Sequence, residues 1–389
     1  MQNFSAFILA LVSVLLLTAS PTLAVHEGGV ANCKGCHATH GSDVMLGGPT
    51  ATGPTLLLGS DPSSTCLRCH SGAGANGVFS PAGSALTPGG DFYWLKRSFN
   101  WNDGSGIPQS SPGYTHGHSV IATDYGLGPD SIRLQAPGGT YPASTLSCIS
   151  CHDPHGKIAS PDNPAPISGS GSFGGSPPGG SAVGNYRLLG GIGYKGLADT
   201  TSFTQAAPIA AAPVSGAETD DNHAAYGSGM SNWCGNCHGD YLSGGTASHH
   251  PAGATVRLLT AEINQYNVYL ASGDLTATPA TSYSALVPFE TGDTDRTLLD
   301  PSSTSGPTGN ANVTCLTCHR AHASAFGVIG RWDLSLPFSD FLVNSHPDGT
   351  TDGSTPSEKL YSYYNRDIEA DFGAGQKPFC EKCHVGGSP

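Results

Sequence analysis

Apolar residues are spread thinly along this chain, and few stretches repeat them at the period a helix or a strand needs. Two segments predict helices. Over Ala254–Ser272, Val256, Leu259, Ile263, Tyr266 and Leu270 recur at spacings of three and four. Thr355–Ile368 opens on Thr355-Pro356-Ser357-Glu358, a start signal with a capping residue, a first-turn proline and an acidic residue three positions on. Residues 168–184 read as a flexible surface loop. They are not a phosphate loop, because no Lys-Ser/Thr follows the glycines and no strand precedes them. The Ala/Pro-rich residues 205–217 predict extended chain. Phe7 to Leu17 forms an apolar run ended by Pro21, with small residues at Thr22-Leu23-Ala24. Residues 1–24 therefore predict a secretory signal peptide, and 25–389 a mature chain. Met1 to Ser5 lacks Lys and Arg, so an uncleaved anchor is the alternative, although the run is short for a span. No membrane span is expected in the mature chain. The expected fold is mostly irregular coil, with a few short helices, little strand and no clean domain boundary.

Composition sharpens the question of what such a chain packs around. Gly (54) and Pro (29) exceed a fifth of the 389 residues, charged residues are 12% and hydrophobic ones 38%. Side chains alone supply little core for a chain of this length. The net charge of -13 rests on only 16 Lys+Arg. That balance argues against a nucleic-acid partner, which requires a basic face, and no polybasic segment addresses anionic lipid.

The missing core has a candidate in the cysteines. All 12 fall into C-x-x-C-H motifs. These are Cys33-Cys36-His37, Cys66-Cys69-His70, Cys148-Cys151-His152, Cys234-Cys237-His238, Cys315-Cys318-His319 and Cys380-Cys383-His384. This is the attachment signal for c-type haem. Two thiolates three apart lie on one side of a helical turn and add to the haem vinyl groups, and the following His reaches the iron. A zinc knuckle or a C-x-x-C redox pair uses the same cysteines but does not need an adjacent His every time. The expected cofactors are six covalently attached haem c groups, and the expected fold is a single haem-cored unit wrapped around a chain of six haems. Text between the motifs does not recur, so no true sequence repeat is read.

The sixth ligand on each iron decides the chemistry. Sixteen histidines less the six proximal ones leave His26, His40, His116, His118, His155, His223, His249, His250, His322 and His346; Met45 and Met230 are the only methionines beyond the signal segment. Bis-His ligation throughout is expected, with low potentials and no open iron for a substrate. His40, His155 and His322 each follow their own proximal His by three residues. Each shares a side of one turn with it, so each can reach the iron of an adjacent haem rather than its own. His116 competes with His118, and His249 with His250.

The chain resembles the OmcS-type hexahaem outer-surface cytochromes through long runs beyond the haem motif. They include HEGGVANCKGCHATH, TPGGDFYWLK, APGGTYP, CHDPHGK, YRLLGGIGY, AYGSGMSNWCGNCH, HPAG, SGDLT and VTCLTCHRAHAS. The chain is shorter than the family pattern after His70 and diverges across about 331–376. The resemblance implies that His26, His40, His118, His155, His250 and His322 are the distal ligands. It places His116, His223, His249 and His346 outside the ligand set. It also implies a mostly irregular fold around a continuous haem chain. In such filaments one haem near the junction takes its distal His from the next subunit, and His40 is the expected donor, with His26 the runner-up.

The function so implied is extracellular electron transfer, with the chain polymerised head to tail into a conductive filament. It would exchange electrons with redox-partner cytochromes and external acceptors, as a secreted, extracellular or cell-surface protein, with the periplasm as alternative. A monomeric soluble electron shuttle is the second reading. An oxyanion reductase is the third, disfavoured because no C-x-x-C-K is present. The chain is thus expected to be an electron carrier and not an enzyme.

Overall fold

The computed structural model describes residues 33–37, 56–72, 76–103, 105–154, 185–196, 198–213, 217–242, 252–253, 255–271, 273–335, 346–373 and 379–384. The signal segment, the 168–184 loop, Met45, His26, His40, His155, His249 and His250 lie outside the described residues, as does the side chain of Cys33.

Short helices and turns dominate, as the sparse periodicity predicts. Two small antiparallel ladders form among the described residues. Strand β1 (Phe99–Asn102) pairs with β2 (Pro108–Ser111), Phe99 opposite Ser111. Asp103 closes that hairpin by accepting the N–H groups of Ser105 and Ile107. Strand β3 (Ile209–Ala211), inside the Ala/Pro-rich stretch, pairs with β4 (Ala225–Ser228) and is extended as expected.

The first helix candidate is shorter than its periodicity predicts. It spans Thr260–Val268, where Glu262 reaches back to the Leu259 N–H. Residues 257 and 258 are drawn instead into an extended pairing, with Arg257 bridged to Asn312 and Leu258 N–H on Ala311 O. Leu259 and Leu270 consequently face solvent, while Tyr266 and Tyr269 fill the core. The second candidate splits into Pro356–Ser362 and Ile368–Phe372. The Thr355–Glu358 capping box forms as expected. Tyr364 and Asn365 then take left-handed backbone, because Tyr363 and Tyr364 both turn into the interior.

The core is aromatic and divided. Phe92, Trp94, Phe99, Tyr266, Tyr269, Phe326, Trp332, Phe372 and Phe379 anchor the larger cluster. Tyr186, Leu189, Tyr226, Met230 and Leu316 form a smaller one. Met230 is therefore a packing residue. Between them, buried Glu218 receives Arg320 at 3.0 Å and Arg331 at 3.3 Å. Arg320 also lies flat on the Tyr364 ring, 3.4 Å from its centre.

Candidate haem centres

Each motif forms the expected single turn. In the third to sixth motifs the proximal His N–H bonds back to the first Cys carbonyl at 3.0 Å. The third motif does so on a 3-10 turn, Cys148–Ser150, and the second lies inside the helix Pro62–His70, capped by Asp61. The turn brings both sulfurs and the imidazole to one side. Among the described cysteines none forms a disulfide. Among the described residues no group of three His, Cys, Asp or Glu converges as a protein-only metal site requires.

The proximal rings are oriented by backbone. Nδ1 of His70, His152, His238 and His319 lies 2.9, 2.8, 2.7 and 2.8 Å from the carbonyls of Asn76, Arg187, Pro137 and Val328. A Nδ1–H donated to a carbonyl leaves Nε2 as the free ligand atom.

Two spare histidines meet proximal ones. His118 faces His238 with ring centres 6.1 Å apart, and His322 faces His152 at 6.2 Å. Two iron–nitrogen bonds of about 2 Å each, with the ring radii behind them, require about 6 Å. Both distal rings hold Nδ1 toward carbonyls, Ala321 for His118 at 2.7 Å and Gly90 for His322 at 3.2 Å. Burial, reinforced by the facing imidazole, pushes His118 down to about 4 and His322 down to about 3, so both rings are neutral donors near neutrality. The residues present thus fit a bis-His haem at these two places.

His322 belongs to the fifth motif, and it faces the proximal His of the third. The segment 320–322 is pinned across Pro88-Gly89-Gly90 by Arg320 Nη1 on Pro88 O and His322 N–H on Gly89 O, which fixes its direction. Gly90 has φ +98°, and a Cβ there would overlap the Ala323 carbonyl. Pro137-Gly138-Gly139 repeats the device, since a Cβ on Gly139 would overlap the Cys237 carbonyl.

The remaining described histidines are otherwise engaged. His116 uses both ring nitrogens, Nδ1 on Trp94 O at 3.1 Å and Nε2 with Ser111 Oγ at 2.7 Å. His223 lies against Tyr283, its Nδ1 on Asp220 O. His346 packs on Trp101, with Asp333 3.5 Å from its Nδ1.

Attachment points run in sequence order. Cys36 and Cys66 are close enough to perturb each other, as are Cys151 and Cys237, and Cys318 with Cys380 and Cys383. The Cys66 and Cys148 thiols are in hydrogen-bond contact, as are those of Cys234 and Cys315. In each of these two pairs the neighbouring sulfur, then burial, holds the first thiol up.

A hidden repeat underlies that order. Ser63 Oγ accepts the Cys148 N–H, and Ser231 Oγ accepts the Cys315 N–H, both at 3.0 Å. Each serine stands three residues before the first Cys of its own motif. The third and fifth motifs also end alike. Asp153 N–H on Leu188 O matches Arg320 N–H on Ile329 O, and Gly190 N–H on Cys151 O matches Arg331 N–H on Cys318 O. Left-handed pairs, Arg187-Leu188 and Val328-Ile329, turn the chain in both. The text hides this because the cradle carbonyl lies 35 residues after His152 but 9 after His319. The Ser-x-x-Cys spacing was the available signal. In the sixth motif, Lys382 is buried against the carbonyls of Tyr266, Tyr269 and Ser282, and burial pushes it down to about 8.

No protein-family model matches the chain. It is 39% identical over 420 residues to the C-type cytochrome OmcS of Geobacter sulfurreducens, covering 96% of each chain. An outer membrane cytochrome S filament from Geobacter sulfurreducens superposes with a TM-score of 0.77 at 38% identity, over 93% of this chain and all of that one. The OmcS nanowires from the same organism give 0.76 at 37%, with the same coverage. Motifs, paired imidazoles and similarity along nearly the whole length agree: the chain belongs to the OmcS family of c-type cytochromes.

Proposed function

We propose that this protein carries respiratory electrons to external acceptors as a hexahaem c-type cytochrome polymerised head to tail outside the cell. The observation that carries the reading is the pair of imidazole couples at 6.1 and 6.2 Å, a spacing that would let each couple hold one haem from both faces. Bound haem supplies a one-electron Fe(III)/Fe(II) couple. The chain's residues do the rest. Cys33, Cys36, Cys66, Cys69, Cys148, Cys151, Cys234, Cys237, Cys315, Cys318, Cys380 and Cys383 anchor six groups. His37, His70, His152, His238, His319 and His384 ligate from one side; His26, His40, His118, His155, His250 and His322 ligate from the other. Closed axial positions favour electron transfer over substrate chemistry.

Polymerisation is supported by the filament and nanowire structures of the relatives. The chain's own residues add to it. His322 serves a motif two places back in the chain. The same step takes His155 to the first motif, and takes His40 out of its own chain to the fifth motif of the preceding copy. Open head-to-tail contacts of this kind give filaments.

Electron microscopy of secreted material, with intact mass, tests the reading. Filaments of a chain carrying six haems are expected. A monomer with six haems would select the soluble shuttle instead, and a large high-spin fraction would revive the reductase.

A further inference from the structure

Glu290 is fully buried and lies where the fourth and fifth motifs meet. Its backbone is clamped from two sides, bridged to Tyr226 of β4 and to Asn312, with which it exchanges N–H groups at 3.0 and 2.9 Å. One carboxyl oxygen, Oε1, accepts the Met230 N–H at 2.6 Å, at the start of the turn that carries Cys234. The other, Oε2, has no hydrogen-bond partner among the described residues, and neither does Asn312 Oδ1. The two residues are directly opposite in the pairing, so their side chains leave the same face. A buried carboxyl oxygen without a donor is costly unless it carries a hydrogen itself.

We propose that Glu290 is a proton-binding site whose occupancy follows the electrons held at the fourth and fifth motifs. Cys315 lies within electrostatic reach of Glu290 and is in hydrogen-bond contact with Cys234. The carboxyl therefore stands beside the attachment points of two consecutive centres. Glu290 takes one proton from solvent water onto Oε2 as a neighbouring centre accepts one electron from its donor cytochrome. One O–H bond forms, the added negative charge is neutralised, and the proton returns to water when the electron moves on.

Burial pushes the Glu290 carboxyl up to about 7 against the lowering effect of the Met230 and Gly229 N–H groups, which places the exchange near neutrality. The titratable and charged groups on the elements packed around it are Tyr226, Asp293, Arg257, Cys234 and Cys315. Burial holds the Tyr226 hydroxyl protonated, and with haem attached both sulfurs are thioethers that do not titrate.

The inference rests on haem attachment at these two motifs and is independent of filament assembly. Its test is spectroelectrochemistry of the holoprotein on both sides of neutrality, with Glu290→Gln beside wild type. The amide oxygen keeps the Met230 contact while the amide cannot take up a proton. Wild type should show at least one potential that falls as pH rises, and E290Q should lose that dependence. E290Q titrating like wild type would assign the protons to haem propionates and overturn the proposal. Redox-difference infrared spectra of wild type test the same point without a variant. A protonated-carboxyl band that shifts on isotopic labelling of glutamate supports it; a band indifferent to the label overturns it. A haem missing at either motif by mass would overturn both this proposal and the haem assignment, whereas six haems with pH-independent waves would overturn this proposal alone.

Discussion

Replacing His322 by Ala removes one axial ligand and little else from the chain's frame. The ring stands 6.2 Å from that of His152 and stacks on Phe92 at 5.0 Å. Its backbone N–H on Gly89 and its carbonyl to His118 survive the truncation, so the segment keeps its path. With six haems held as proposed, one centre would open and about one-sixth of the iron should turn high-spin or take water. The lost ring leaves a cavity beside Phe92, at a cost of about 2–4 kcal/mol. Low-temperature magnetic circular dichroism measures the spin populations, and intact mass confirms that haem attachment is unchanged. Added imidazole should refill the cavity and restore low-spin iron. His116→Ala is the control, since both His116 nitrogens are already engaged, and it should stay fully low-spin. An H322A protein with all its iron low-spin without added ligand would refute the pairing.

Other outcomes follow from the same contacts. Glu218→Gln leaves Arg320 and Arg331 buried without their carboxylate and should cost about 3–5 kcal/mol, read as a lower thermal midpoint. Ser231→Ala removes the acceptor for the Cys315 N–H and should lower stability by about 1–3 kcal/mol with haem content retained. Because the Glu290 carboxyl is raised from 4.5 to about 7, the folded state holds a proton that the unfolded state releases. Stability should therefore fall as pH rises from about 4.5 to about 7, by about 3 kcal/mol, and E290Q should flatten that slope in urea titrations. His40→Ala should abolish filaments in micrographs while mass still shows every haem; intact filaments would reject His40 as the junction ligand.

Much of the site was legible in the one-dimensional text. A C-x-x-C-H motif is a local device, complete within one turn, so the turn it forms could be read from spacing. The scarcity of periodic apolar residues likewise foretold a few short helices and little strand. Boundaries were less legible. Val256 to Leu270 carries a helical period, yet the pairing of Arg257 with Asn312 delays the helix to Thr260, because a distant segment competes for the same N–H groups. Distal pairing is also nonlocal. His118 and His322 meet His238 and His152 only because 320–322 is pinned on Pro88–Gly90 and His238 on Pro137. The repeat shared by the third and fifth motifs escaped the text because loops of different length reach the same geometry. Glu290, an ordinary acidic residue in sequence, acquires its character from burial between two motifs. Composition and local spacing determined which residues offer themselves for c-type haem, six motifs of one pattern. Tertiary structure decided which imidazole faces which, since ligands on opposite faces of a haem must come from segments distant in sequence.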